Sequence, residues 1–248
     1  MEKIIGALLK AFGSLLHPKM LWLMVWPMFV ALALWVTLAV LYWGEAAKWI
    51  DVQLHYWPAY EWAVSIWPLT LVAAWFGWLL LLLLFVPMVL ITAVLIISIV
   101  AMPVMAAHVG RRDYPGLARL RGGTFAGSLR NALVSLGLFA LLLALTSLLW
   151  LVPLLWPVLP VVLFGYFNQR VFRYDALAEH ASAAEIAEIV RRHRGELFLL
   201  GAALALIGHV PLLGLFMPVY GGLAFIHYGL GRLGELRSEP LAGSATRV

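Results

Sequence analysis

The chain of 248 residues contains no cysteine, which excludes disulfides, thiolate catalysis and thiolate-bound metals and leaves the redox compartment open. Charge is scarce as well. Only 12% of the residues are charged against 64% hydrophobic, and mean hydropathy is +0.97, where soluble domains carry about a quarter charged residues. Acidic groups are the rarer kind, 12 against 17 Lys and Arg, giving a formal charge of +5 and a pI near 9.7. In a soluble protein that balance would point to nucleic acid. Here the basic residues fall in the gaps between apolar runs, so no nucleic-acid partner is expected. Membrane topology and anionic lipid head groups account for them.

No Ser/His/Asp arrangement can be assembled from matched local motifs, so neither an enzyme nor a cofactor is expected. Glu185, Glu188 and His193 hint at a metal site, but Arg191, Arg192 and Arg194 oppose a cation, and no metal is expected. Gly229-Leu-Gly-Arg-Leu-Gly234 is a literal G-x-G-x-x-G without βαβ context. It predicts a frayed helix end near the head groups rather than a dinucleotide site.

What is abundant is apolar run length, and it predicts an all-α integral membrane protein. In Met1 to Leu16, Ile4, Ile5, Leu8, Leu9, Phe12, Leu15 and Leu16 share one helical face, and Lys3, Lys10 and His17 the other. That is the pattern of an amphipathic helix lying in the interface, or docked on protein. Pro18 breaks the chain. Met20 to Trp43 is free of charge and about 36 Å long as a helix, enough to cross a bilayer, with a kink at Pro27. Gly44 to Ser65 is the acidic loop, with Glu45, Asp51 and Glu61, and it belongs outside, flanked by a belt of tryptophans.

Ile66 to Ala107 is apolar for about 42 residues, roughly 63 Å as one helix. A hairpin at Pro87 would place Arg111, Arg112, Arg119, Arg121 and Arg130 outside, against the positive-inside rule. One long helix kinked at Pro87 and ending near Pro103 is preferred, followed by a cytoplasmic loop. Within that loop Gly123 and Gly127 predict a flexible entry to the next helix.

Asn131 to Phe172 has basic flanks on both sides, so it must enter and leave by one face. Its turn, Leu151 to Pro160 with Pro153, Pro157 and Pro160, carries no polar side chain, which favours a re-entrant hairpin over two full crossings. Ser182 to Glu185 has the form of a capping box, with Glu188 and Arg192 spaced as an i,i+4 pair. Gly195 to Gly222 repeats the hairpin design, punctuated by Gly208, Pro211, Gly214 and Pro218, with His209 as its one strongly polar side chain. Residues 1–237 form one membrane domain, and 238–248 a disordered tail.

Pro18 with Pro27 nine positions on, Val100-Ala-Met-Pro103 closing a long helix, and Gly201, Gly208-His-Val-Pro211, Pro218 and Gly221 together resemble the EI24 domain family, which includes the bacterial CysZ sulfate permeases. The resemblance implies two transmembrane helices, two hemi-penetrating helical hairpins and an interfacial first helix. It also implies a homo-oligomer in the bacterial inner membrane, with cytoplasmic termini, taking up sulfate passively or with protons. The family carries Pro-Gly-Leu-Arg, often with a second Arg, at the start of the first transmembrane helix, to hold a small inorganic anion. Here those positions are Pro18-Lys19-Met20-Leu21-Trp22, which leaves Lys19 as the nearest cation.

Lys19, Arg130, Asn168, Arg170 and His209 are the candidate substrate-binding residues. Arg130, Asn168 and Arg170 lie near the mouth of the first hairpin and draw either an anion or lipid phosphate. His209 lines a wet cavity or satisfies backbone carbonyls freed by Pro211. The alternative to transport is a structural or regulatory membrane protein that has lost the oxyanion site.

Overall fold

The computed structural model describes residues 1–210 and 213–239, and Pro211 and the tail beyond Glu239 lie outside the described residues. Every regular element among the described residues is helical. Three helices are long and apolar enough to cross a membrane by length and composition, within Pro18–His55, Leu69–Ala93 and Phe125–Leu145.

Helix α1 (Glu2–Leu15) ends just before Pro18, and α2 (Pro18–His55) begins on it. Proline is suited to that first position because its missing N–H would have no helical partner there. The expected apolar face of α1 is split in two. Ile4, Ala7, Ala11 and Leu15 are buried against α10 (Leu213–Ser238), while Ile5, Leu9, Phe12 and Leu16 are more than half exposed. The helix therefore docks on protein along one stripe and offers a second apolar stripe outward.

The chain falls into two compact units, Val25–Val94 and the remainder. In the smaller unit α2 runs on to His55, so most of the expected acidic loop is helix instead. Charge alone does not end a helix, and Glu45 and Lys48 pair at i,i+3, 3.0 Å apart. The helix stops before Pro58, which opens the short α3 (Pro58–Val64). Helix α4 (Leu69–Ile96) passes through Pro87 without reversing. Trp35 Nε1 donates to Thr92 Oγ1 at 2.9 Å, satisfying two polar atoms that lipid could not. Elsewhere the unit is coated with exposed Leu, Val and Trp.

In the larger unit a π-helical turn (Ile97–Ala101) leads into α5 (Met102–Asp113). The helical run thus continues from Leu69 to Asp113, past the end expected near Pro103. Met102 and Met105 press on Gly222 of α10, where an added Cβ would stand 2.6 Å from Met102 Sδ. Helix α6 (Phe125–Leu145), capped by Thr124, is followed by short 3₁₀ turns holding Pro153, then a turn at Pro157, then α7 (Leu159–Ala178). Helix α8 (Ala183–Arg192) opens with the expected capping box of Ser182 and Glu185. Helix α9 (Arg194–Gly208) packs on α7 and leads to α10.

Several expectations about glycine and proline are corrected. Gly214 and Pro218 lie inside α10 rather than in the turn. Pro218 removes the bond to the Gly214 carbonyl, and a Cβ on Gly214 would lie 3.0 Å from the Gly208 carbonyl oxygen. Gly229, Gly231 and Gly234 are internal to the same helix, which is not frayed. Leu230 and Leu233 are fully buried, and Gly229 abuts Leu177. Nor are Gly123 and Gly127 a flexible hinge. A Cβ there would meet Ala178 Cβ at 2.3 Å and the Tyr174 hydroxyl at 2.2 Å. The amides of Leu120 to Gly123 donate to carbonyls of residues 178–181. Ser238 ends α10 and Glu239 pairs with Arg192, and the rest of the expected tail lies outside the described residues.

Candidate anion-binding sites

Lys19 sits in the first turn of α2, and its backbone N–H donates to His17 Nδ1 at 3.2 Å. That caps one amide of the first turn. The His17 ring lies 4.9 Å from the ring of His108 on α5. Burial first, then the positive neighbours His17, Lys19, Arg112 and Arg111, pull the His108 pKa below its ordinary value. His108 thus stands in the field of Lys19 and of two arginines of its own helix. No ion pair reaches Lys19 or Arg111 among the described residues, while Arg112 has Asp113 at 3.8 Å. The amides of Met20 and Leu21 donate to the His17 carbonyl at 2.8 and 3.2 Å, so the first turn of α2 is already capped and an anion there would rest on the side-chain cations.

The other candidates separate. Arg130 is exposed on α6. Its neighbour Asn131 donates to the carbonyls of Arg170 and Val171 at 3.1 and 3.0 Å, tying α6 to α7. Asn168 donates to the Gly201 carbonyl at 3.2 Å and so fastens α7 to α9. His209 is exposed, with Nδ1 2.6 Å from the carbonyl of Ala205, and the carbonyls expected to be freed by Pro211 depend on a residue outside the described residues.

Arg170 has company that was not anticipated. Together with Tyr166, Gln169, Arg173, Val190 and Arg194 it lines a cavity of about 310 Å³ on α7, α8 and α9. The sequence carried half of the signal, since Tyr166, Gln169, Arg170 and Arg173 are spaced along one helical stripe. Arg194, from another helix, had none.

Also unanticipated is a polar layer between α1 and α10. Lys3 pairs with Glu235, and Arg232 with Glu196 and Glu235, while Tyr228 donates to Glu196. Beneath it, His227 is buried with Nε2 2.9 Å from Ser14 Oγ. Burial pushes its pKa down to about 4, so this imidazole is neutral at physiological pH. Glu185 and Glu188, the acidic pair weighed as metal ligands, are occupied by arginines.

No curated protein and no solved structure matches the chain significantly. A family model does. Residues 7–218 match the model described as sulfate transporter CysZ/etoposide-induced protein 2.4. That match spans most of the sequence, and with the long apolar helices it makes this a membrane protein; the chain belongs to the EI24 family.

Proposed function

We propose that the protein is a permease or channel of the bacterial inner membrane for a small inorganic oxyanion, sulfate above all, acting as a homo-oligomer with both termini in the cytoplasm. The observation that carries this reading is the cation cluster at the start of α2. Lys19, Arg111 and Arg112 all act there on His108, whose ring meets that of His17. In this reading Arg111 and Arg112 of α5 would take the place of the guanidinium groups absent from positions 21 and 22. An oxyanion leaving water must exchange its shell for such donors, and lysine and arginine offer them. Two crossing helices and two hairpins that turn within the bilayer complete the proposed architecture.

Radiolabelled sulfate uptake into proteoliposomes tests the function. Wild-type vesicles should exceed empty ones. Arg111→Gln with Lys19→Gln should lower the rate about tenfold, the equivalent of one charge-assisted hydrogen bond, and Leu21→Arg should raise it. The absence of flux in both wild type and Leu21→Arg would sink the permease reading. That outcome would favour a structural role, for which Leu21 and the exposed Trp22 are the supporting observation.

The hairpins are tested separately in this cysteine-free chain. Single cysteines at Pro157 and Gly214 should resist an impermeant thiol reagent added outside. Strong labelling at both would make the hairpins full crossings.

A further inference from the structure

One face of α7 presents Tyr166, Gln169, Arg170 and Arg173 toward Val190 of α8 and Arg194 of α9 across the 310 Å³ cavity. Its charge is all of one sign. Among the described residues no ion pair reaches Arg170, Arg173 or Arg194, whereas Arg191, Arg192, Arg232 and Arg237 each hold a carboxylate. Arg170 keeps a buried Nε–H with no acceptor, and Gln169, only 8% exposed, a buried Oε1 with no donor. Burial, and then the guanidiniums of Arg170 and Arg194, lower the pKa of Arg173. It stays charged even so, because arginine titrates far above neutrality.

Clustered cations withdrawn from water cost free energy unless an anion balances them. The planar fork of guanidinium matches two oxygens of a tetrahedral anion. We infer that this pocket is a binding site for a tetrahedral oxyanion, held by Arg170, Arg173 and Arg194 with the Gln169 amide and the Tyr166 hydroxyl completing its shell. Three cations select a doubly charged ion over a single charge. The cavity leaves room for part of the hydration shell. The site shares no residue with the cluster around Lys19 and stands whether or not that cluster serves transport.

The same chemistry is available from two sources. Sulfate or phosphate would arrive from water, and the phosphodiester of an anionic lipid from the membrane, because the apolar stretch of α7 from Leu159 to Phe167 ends where the arginines begin.

The test uses the full chain in an uncharged detergent, with the thermal unfolding midpoint followed by tryptophan fluorescence. Sulfate is compared with chloride at matched ionic strength, and phosphatidylglycerol with phosphatidylcholine. One of the two ligands should raise the wild-type midpoint, and Arg173→Gln and Arg194→Gln should each weaken its apparent affinity about tenfold or more. A sulfate response identifies a free-anion site and a phosphatidylglycerol response a lipid site; either supports the inference. Without ligand, Arg173→Gln should unfold at a higher temperature than wild type, since it removes charge repulsion. Arg173→Lys should gain nothing in the absence of ligand and still bind more weakly. A wild type indifferent to both ligands, or glutamine variants that respond equally, would overturn the inference. A lowered ligand-free midpoint in Arg173→Gln would do so too, by making the arginine a structural strut. Since no flux is read, failure here leaves the permease reading untouched, and failure of transport leaves this site standing.

Discussion

Gly201→Ala is expected to destabilise the protein by about 3 kcal/mol or more, beyond the usual range for overpacking. An alanine Cβ at this position would lie 2.3 Å from the Gly165 carbonyl oxygen and 3.3 Å from the Gln169 amide nitrogen. Both neighbours are backbone, so no side chain can swing away. Helices α7 and α9 would have to separate, which would also stretch the bond from Asn168 to the Gly201 carbonyl. Gly165 faces Ala202 closely too, its added Cβ lying 3.0 Å from the Ala202 Cα. Small residues that let helices approach this closely replace the hydrophobic drive that lipid removes. Helix propensity alone predicts the opposite sign, a gain of up to about 1 kcal/mol for glycine to alanine within a helix. That gain should appear undiminished at Gly6 of α1, where nothing lies within 4 Å. Unfolding midpoints of the two variants in detergent decide the matter. Equal stabilities for Gly201→Ala and wild type would rule out the close α7 to α9 contact.

The second large effect is a loss of stability in acid that depends on Glu185. Its carboxylate accepts from Arg237 and, at the capping box, from the Ser182 amide. The Arg237 guanidinium, foremost, holds its pKa at about 2, against an ordinary value of 4.5. A depressed carboxylate pKa means that its stabilisation is complete above about pH 4.5 and is lost as pH falls toward 2. Both side chains are only 21% exposed, so solvent screens the pair weakly. The shift is worth roughly 3 kcal/mol at most. Arg237 also donates to the carbonyls of Ala118 and His180, which joins the end of α10 to the segment before α6 and to the start of α8. Arg237→Ala should therefore cost about 3 kcal/mol at neutral pH, the low end for breaking a buried pair. Glu185→Gln should flatten the acid limb of the stability curve between pH 4.5 and 2. An unchanged acid limb in Glu185→Gln would show that the node carries none of this dependence.

These two effects differ in how far the sequence foretold them. The capping box at Ser182 was legible because its two partners lie three residues apart and act within one helical turn. Its third member, Arg237, was not, since nothing in either segment records the fold that joins them. Gly201 was recognisable as one of the family's glycines, but its opposite number Gly165 lies 36 positions away. Gly123 and Gly127 were mistaken for a hinge for the same reason. A glycine that permits flexibility and a glycine that permits contact have the same local pattern, and only the neighbour distinguishes them. The acidic stretch after Trp43 misled differently, because charges at i,i+3 are as compatible with a solvated helix as with a loop.

Composition and run length by themselves determined that this protein is helical and lives in a membrane, because a backbone in lipid must satisfy its own hydrogen bonds and 64% hydrophobic residues cannot be hidden inside so small a core. Proline at position 18 likewise set the junction of α1 and α2 through its missing N–H. Which cations meet was decided only by the tertiary structure. Lys19 acts on His108 of a helix some ninety residues on, and Arg170 and Arg173 find Arg194 across α8. Charges of one sign repel and leave no mark on local sequence preference. They are held together by the packing of helices around them, whose apolar contacts and close glycines outweigh that repulsion.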